Sequence, residues 1–343
     1  MILEKQTEAH ILQEGETQET VKMSLDLDSA QVLMQMLSKN LYSDAIGSTI
    51  RECASNALDS HRRAGSDRPI IVSFKRNKKA DTYEFAVEDF GIGLDADDVK
   101  NIISKYGKST KRDSNTELGM MGLGFKAPLA YASSFYFIAR KNGIERKYMM
   151  YEGEDTNSID LLYEKPTDQP NGVKIIVPVN YYDKSNFTSK IKEQLAYFEN
   201  VYFDVDPNAG YQVPNDFTIH RAEHYQYSSL AMNNDMHLCL DNVSYPIDWE
   251  KLGIDRIHLK MALRFSLSDG LFPTPNREAI RYTQEAKKTI LAKIEKVADF
   301  FMEKYNENIT NNDNIHSIIE FYTGYNSYVD GSLLGQKEQI DVK

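Results

Sequence analysis

Hydrophobic and polar positions first fall into a regular pattern at Val21-Lys22-Met23-Ser24-Leu25, where alternation predicts a short edge strand inside an otherwise polar, acidic segment. Asp28-Ser29 then offers a helix cap before the apolar stripe Val32, Leu33, Met36 and Leu37. A second helix is predicted from about Ser43 to Ala64, stopped by Gly65. Ile70, Ile71, Val72 and Phe74, then Tyr83, Phe85 and Val87, read as two strands joined by the basic turn Arg76-Asn77-Lys78-Lys79. Asp95 caps a short helix to about Lys105, and a charged stretch from Tyr106 to Glu117 follows. Further strands are predicted at Phe135–Arg140, Ile144–Tyr151, Ile159–Tyr163 and Val173–Val179. Helices first and mostly antiparallel strands afterwards describe an α/β sandwich, with helices on one face of a mixed, largely antiparallel sheet.

The pattern changes near Asn180-Tyr181-Tyr182-Asp183, which sets the expected division into domains at 1–180 and 181–343. Beyond it come a helix over about Ser185–Glu199, several strands to roughly Phe265, and a loop from Asp269 to Arg277. A long amphipathic helix with Ile290, Ile294, Val297 and Phe301 on one stripe closes the pattern, and the tail from Asn326 is expected to be loosely ordered. At 343 residues two domains are the prior, and an apolar fraction of 41% supports a packed core.

Charge and cysteine usage narrow the classes. The net charge of −11 argues against broad nucleic-acid or anionic-membrane binding. Cys53 and Cys239 are the only cysteines, without zinc-type spacing, which fits a reducing compartment; Cys53 is expected to be a packing residue. No apolar run approaches the roughly 20 residues of a membrane span, and Met1-Ile2-Leu3-Glu4-Lys5 lacks a leader pattern, so a cytoplasmic location is expected.

One stretch does not suit a core helix. In Glu52-Cys53-Ala54-Ser55-Asn56-Ala57-Leu58-Asp59 the polar residues Glu52, Asn56 and Asp59 share one helical face. Oxygen-bearing side chains of this kind suit a magnesium-phosphate site, with a carboxylate as base for a water. Downstream, Gly91 and Gly93 in Asp89-Phe90-Gly91-Ile92-Gly93 would let backbone approach a flat ligand, with Asp89 placed to accept a purine amine. Gly119-Met120-Met121-Gly122-Leu123-Gly124 opens another predicted helix before Phe125-Lys126, a setting for phosphate oxygens. It is neither a Rossmann fingerprint nor a Walker loop, since the strand and the Gly-Lys-Ser/Thr ending are missing.

Together these boxes resemble the Bergerat-fold ATPases: DNA gyrase, the ninety-kilodalton heat-shock chaperones, histidine kinases and MutL. The order Glu52/Asn56/Asp59, Asp89/Gly91/Gly93 and Gly119/Gly122/Gly124 carries that resemblance over residues 40–180. It implies ATP and Mg2+ as ligands, Glu52 as general base, Asn56 as magnesium ligand and Asp89 as adenine reader. It further implies a phosphate cradle of Gly119, Gly122, Gly124, Phe125 and Lys126, with Asp59 in support. Ser104-Lys105-Tyr106-Gly107-Lys108 resembles the start of a nucleotide lid, in which Lys105 or Lys108 touches a phosphate. Asn171-Gly172-Val173 stands where the family usually has Gly-Thr, which removes a hydroxyl from the adenine side. His61 is expected at the surface.

Leu271-Phe272-Pro273-Thr274-Pro275-Asn276-Arg277-Glu278-Ala279-Ile280 resembles the chaperone middle-domain loop, with Arg277 at the position whose arginine reaches the γ-phosphate. The local alternative is an Arg277–Glu278 surface pair. The run from Lys22-Met23-Ser24-Leu25-Asp26 through Arg51-Glu52 and the Pro-Asn-Arg-Glu-Ala stretch further resemble the phage rapid-lysis A proteins. That likeness implies an early phage protein in the host cytoplasm, with a host or phage partner and peripheral envelope association. The expectation is therefore a slow magnesium-dependent ATPase with a transducer-like second domain, a lid and an ATP-favoured homodimer. The alternatives are an ATP-gated interaction module with little turnover and an anti-sigma-type serine/threonine kinase.

Overall fold

A computed structural model describes residues 41–105, 124–153, 156–232 and 235–311. The strand expected at 21–25, the stripe after Asp28, the lid segment at 106–121 and the tail from 326 lie outside the described residues.

Helix α1 (Ala45–Ala64) begins two residues after the expected Ser43 and ends at Ala64 as expected. The Asp44 carboxylate accepts the Gly47 N–H at 2.8 Å, and Gly65 ends the helix in the left-handed region at φ 62°. His61, Arg62 and Arg63 in the last turn complement the negative end of the helix dipole. Ile50, Cys53, Ala54 and Ala57 bury one stripe in the core. The helix is nevertheless buried on nearly every side from Gly47 to Ser55, Arg51 and Glu52 included. A helix that hides charges needs partners on its polar side, and the second half of the chain supplies them.

Seven strands form the sheet beneath it: β1 (Ile70–Asn77), β2 (Thr82–Glu88), β3 (Ser134–Lys141), β4 (Ile144–Tyr151), β5 (Ser158–Pro166), β6 (Gly172–Val179) and β7 (Val201–Val205). Their order is β5-β4-β3-β6-β2-β1-β7, and every neighbouring pair is antiparallel except β1 with β7. Period-two alternation puts Phe74, Phe85, Val177, Ile175, Phe137 and Tyr148 in facing rows across five strands. Helix α2 (Lys184–Leu195) lays Phe187 on this face, its ring stacked 5.6 Å from Phe74. The predicted helix to Glu199 ends four residues earlier, and the chain turns into β7, so the large sheet takes one strand from beyond residue 180.

Between β2 and β3, Asp95 caps a turn of helix that continues as a π-helical segment over Val99–Ile103. The helix expected after the second glycine box is a 3-10 helix, Gly124–Ala130, with Pro128 inside it. Proline lacks the N–H of a continuing α-helix, which accounts for the tighter, shorter form.

A second sheet has the order β11-β10-β12-β9-β8, built from β8 (Ile219–Arg221), β9 (Tyr225–Ser228), β10 (His237–Leu240), β11 (Val243–Pro246) and β12 (Ala262–Phe265). Helix α3 (Gln284–Asn311) covers it with Ala286, Ile290, Ile294 and Val297 buried and Phe301 half-buried. Buried apolar side chains from both sheets join one continuous core. Arg62 on α1 closes the seam from outside with a two-pronged ion pair to Asp241, at 2.6 and 2.7 Å, in the tight β10–β11 turn.

Candidate active site

Where α1 meets the loop after β2, the site is built from near neighbours. The Asp89 carboxylate is buried, and its Oδ1 accepts both the Ser60 hydroxyl and the Gly91 N–H at 2.9 Å. Its backbone N–H donates to the Val173 carbonyl on β6, fixing the loop from the other side. Burial raises the Asp89 carboxyl to about 6, against the pull of the Gly91 and Ser60 hydrogen bonds. Ser60 also accepts the Ile92 N–H at 3.2 Å.

The glycines here are there for close approach. A Cβ on Gly91 would collide with both the hydroxyl and the backbone of Ser60, and one on Gly93, at φ 66°, with the Arg140 carbonyl. Asn171-Gly172-Val173 closes the same corner, and a Cβ on Gly172 would strike the Asp89 carbonyl.

His61 corrects an expectation: it is buried, and its Nε2 accepts the Phe90 N–H at 2.7 Å. Burial lowers its pKa, which favours the neutral ring that this acceptor role requires. Its place beside Ser60 on the last turn of α1 was readable, but nothing in the sequence located Phe90 above it. Ser60 carried a clearer signal, since it follows Asn56 by four residues on the same helical face.

Two turns up α1 the chemistry changes. Glu52 is 1% exposed, and its Oε2 accepts from Arg277 Nη1 at 2.6 Å across 225 positions of chain. Gly124 lies against the same carboxylate, since a Cβ there would sit 2.5 Å from Glu52 Oε2 and 3.7 Å from Asn56 Nδ2. Helix face, glycine-box end and arginine thus meet at one point. Several buried polar atoms at that point have no hydrogen-bond partner: Glu52 Oε1, Asn56 Nδ2, and Arg277 Nε and Nη2. Buried polar atoms are ordinarily paired, so this cluster marks a place prepared for a polar ligand.

Arg277 therefore does not form the local pair with Glu278. It sits at φ 56° on a loop tip closed by Thr274 N–H to Ala279 C=O at 2.8 Å and Arg281 N–H to Phe272 C=O at 2.9 Å. Tyr42 and Tyr245 lie close by; burial pushes the Tyr42 phenol up, reinforced by the Glu52 charge. Arg51, beside Glu52 in sequence, points elsewhere, donating to Gln194 Oε1 at 3.0 Å and Ser48 Oγ at 2.9 Å.

Asp59 is buried on the same helix, 3.9 Å from Arg62 Nη1. Lys126 is buried, donates to the Lys105 carbonyl at 3.2 Å, and is lowered to about 8 by burial. Phe125 packs edge-on against Phe137 at 5.1 Å and so anchors the glycine-box end to the sheet. Lys108, Gly119 and Gly122 lie outside the described residues. Cys53 is buried as a packing residue.

Residues 45–176 fit the family model described as histidine kinase-, DNA gyrase B-, and HSP90-like ATPase. The match starts at the first residue of α1 and ends within β6, taking in Glu52, Asn56, Asp89 and the glycine boxes but not Arg277. This stretch is thus similar to the Bergerat-fold superfamily, whose members are generally ATPases or kinases, and the mixed α/β architecture agrees. No curated protein matches the chain.

Proposed function

Taking that family match as premise, we propose that the protein binds ATP with Mg2+ and hydrolyses it slowly, with Glu52 as general base and Arg277 as the charge-stabilising residue. The convergence of Glu52, Asn56, Gly124 and Arg277 carries this reading. Their unpaired buried atoms include an acceptor (Glu52 Oε1) and three donors, the complement that an attacking water and a phosphoryl oxygen would use.

In this reading Asp89 accepts the exocyclic amine of adenine through its second carboxylate oxygen, while Gly91 and Gly93 admit the ring. Backbone at Gly119, Gly122 and Gly124, with Lys108 and Lys126, surrounds the phosphates. Asn56 turns its amide oxygen to Mg2+, and Asp59 supports the helix beneath. Magnesium, when bound, neutralises charge on the phosphate oxygens. Glu52 orients a water and takes its proton as the water oxygen bonds to the γ-phosphorus and the bond to the β–γ bridging oxygen breaks. Arg277 meets the negative charge on the transferred group.

An ion pair at 2.6 Å between Glu52 and Arg277 favours low turnover, because the guanidinium must part from the carboxylate before either acts. The same observation supports the second reading, an ATP-gated interaction module that hardly turns over. Lid closure over 106–121, an ATP-favoured symmetric dimer and the division at residue 180 belong to the same proposal. A role in a phage-infected host rests only on the resemblance of the run from Lys22 through Glu52 and of the Pro-Asn-Arg-Glu-Ala stretch. Among the described residues no helix is long and apolar enough to cross a membrane.

Phosphate release and nucleotide binding, measured side by side, test the reading. Wild type should bind ATP and release phosphate, Arg277→Ala should keep affinity and lose turnover, and Asn56→Ala should weaken only the magnesium-dependent part of binding. Binding without release selects the interaction module. Labelled phosphate on protein selects a kinase. Absence of ATP binding by wild type sinks all three.

A further inference from the structure

The residue after Arg277 has no part in the chemistry proposed above, yet it makes the denser set of contacts. Glu278 reaches the first turn of α1, where Oε1 accepts the Asp44 N–H at 2.9 Å and the Ser48 hydroxyl at 3.2 Å. Its Oε2 accepts the Ser43 hydroxyl at 2.6 Å and the Asn276 amide at 2.8 Å. Asn276 in turn accepts from Thr274 Oγ1 at 2.6 Å and lends its carbonyl to Arg51 Nη2 at 3.4 Å. The loop tip is thus tied both to itself and to the start of the helix.

Ser48 and Glu52 are four residues apart on α1, so they stand one turn apart on one face. Two consecutive loop residues meet those two positions, Glu278 at Ser48 and Arg277 at Glu52. Arg277 itself stands in the left-handed region, at φ 56°, between these two contacts. The charges enforce the register. A slip that moved Glu278 onto Glu52 would oppose two carboxylates in a buried setting, and Arg277 would leave its ion pair with Glu52.

We propose that Glu278 is a positioning residue that locks the loop tip in register with α1 and so delivers Arg277 to Glu52. The proposal rests on the ATPase reading for its effect on turnover, but the lock itself does not. Glu278 never touches substrate; it acts through Arg277 alone, and that separates it from an ordinary helix cap. Asp44 is the ordinary cap of the same helix, and its side chain is the natural control.

The test compares full-length Glu278→Ala, Glu278→Gln, Arg277→Ala, Asp44→Ala and the double variant Glu278→Ala/Arg277→Ala. Amide exchange by mass spectrometry reads the lock without nucleotide: Glu278→Ala should speed exchange in 272–281 and at the start of α1. Glu278→Gln, which keeps one acceptor for Asp44 N–H and Ser48, should restore much of the protection. Turnover in Glu278→Ala should fall ~10-fold or more with nucleotide affinity nearly unchanged, as expected when a catalytic group is misplaced and not removed. The double variant should be no slower than Arg277→Ala, while Asp44→Ala lowers stability and leaves turnover alone. Unchanged exchange in 272–281, or losses in the double variant that simply multiply, overturns the proposal. A wild type without turnover overturns the ATPase reading instead, and the exchange result still decides the lock.

Discussion

The two ends of the candidate site are made in opposite ways. Around Asp89, Ser60, His61 and Gly91 the parts come from a short stretch of chain and satisfy one another: each donor found has an acceptor, and each glycine is packed against backbone. Around Glu52 the parts come from α1, the end of the glycine box and a loop 225 positions away, and several buried atoms stay unpaired. A rigid, satisfied end suits recognition of a flat base. An end assembled from distant chain and left polar suits a ligand whose binding and turnover must be felt elsewhere. One end draws on α1, the loop after β2 and the large sheet, whereas the other also needs the distant loop that carries Arg277.

Substitutions at Glu52 should break this contrast hardest. Glu52→Gln removes the base and leaves the buried Arg277 charge without its counter-ion; phosphate release should fall by about 10²–10⁴-fold while ATP still binds. Full activity in that variant would remove Glu52 from the mechanism.

A pair of glycine substitutions comes next. Gly91→Ala drives a Cβ into the backbone of Ser60, which cannot yield cheaply, so urea or thermal denaturation should show a loss of about 3 kcal/mol or more. Gly124→Ala meets only the far end of the Glu52 side chain, so stability should change little and turnover should suffer. Equal destabilisation by the two would erase the distinction between a backbone-packed end and a side-chain-lined end.

A smaller effect is expected from pH. Folding raises the Asp89 carboxyl from its usual range to about 6, so its contribution to stability is greatest below the unfolded value and is lost as pH rises through about 6. Nucleotide recognition needs the ionised form and runs the other way: Kd for ATP should rise roughly tenfold between pH 7.5 and pH 5. Titration calorimetry at both values checks it, and a flat profile would argue that Asp89 is not the adenine reader. Smallest of the series, Ser60→Ala should cost about 1 kcal/mol of stability, the worth of a hydrogen bond to a carboxylate less local relaxation.

The same contrast decides what could be read from sequence. The six strands between residues 70 and 179, and α1 with its stop at Gly65, follow from alternation, helical spacing and a helix-ending glycine, and they stand within a few residues of where they are predicted. Glu52 and Asn56 were legible because polar residues at helical spacing interrupt an apolar stripe, and they do share a face with Gly124 above them. His61 was misjudged, since a histidine in a basic last turn looks solvated until the loop above it is in place. The return of the chain to the large sheet as β7, and the aim of Arg277 at Glu52 with Glu278 at the helix start, are long-range facts. No local periodicity encodes them.

Arg277 also has a practical consequence. Left-handed backbone at a residue other than glycine costs on the order of 1 kcal/mol, and arginine at φ 56° accepts that cost. Anyone engineering a hardier version of this protein by the usual rule, glycine wherever φ is positive, would choose this position early. Arg277→Gly should then melt no lower through its backbone term, yet it would remove the charge that the loop carries to Glu52. That loss strands the buried Glu52 carboxylate, at a cost of about 3–5 kcal/mol that outweighs the backbone relief, so a screen for heat tolerance would reject the very substitution that the rule recommends.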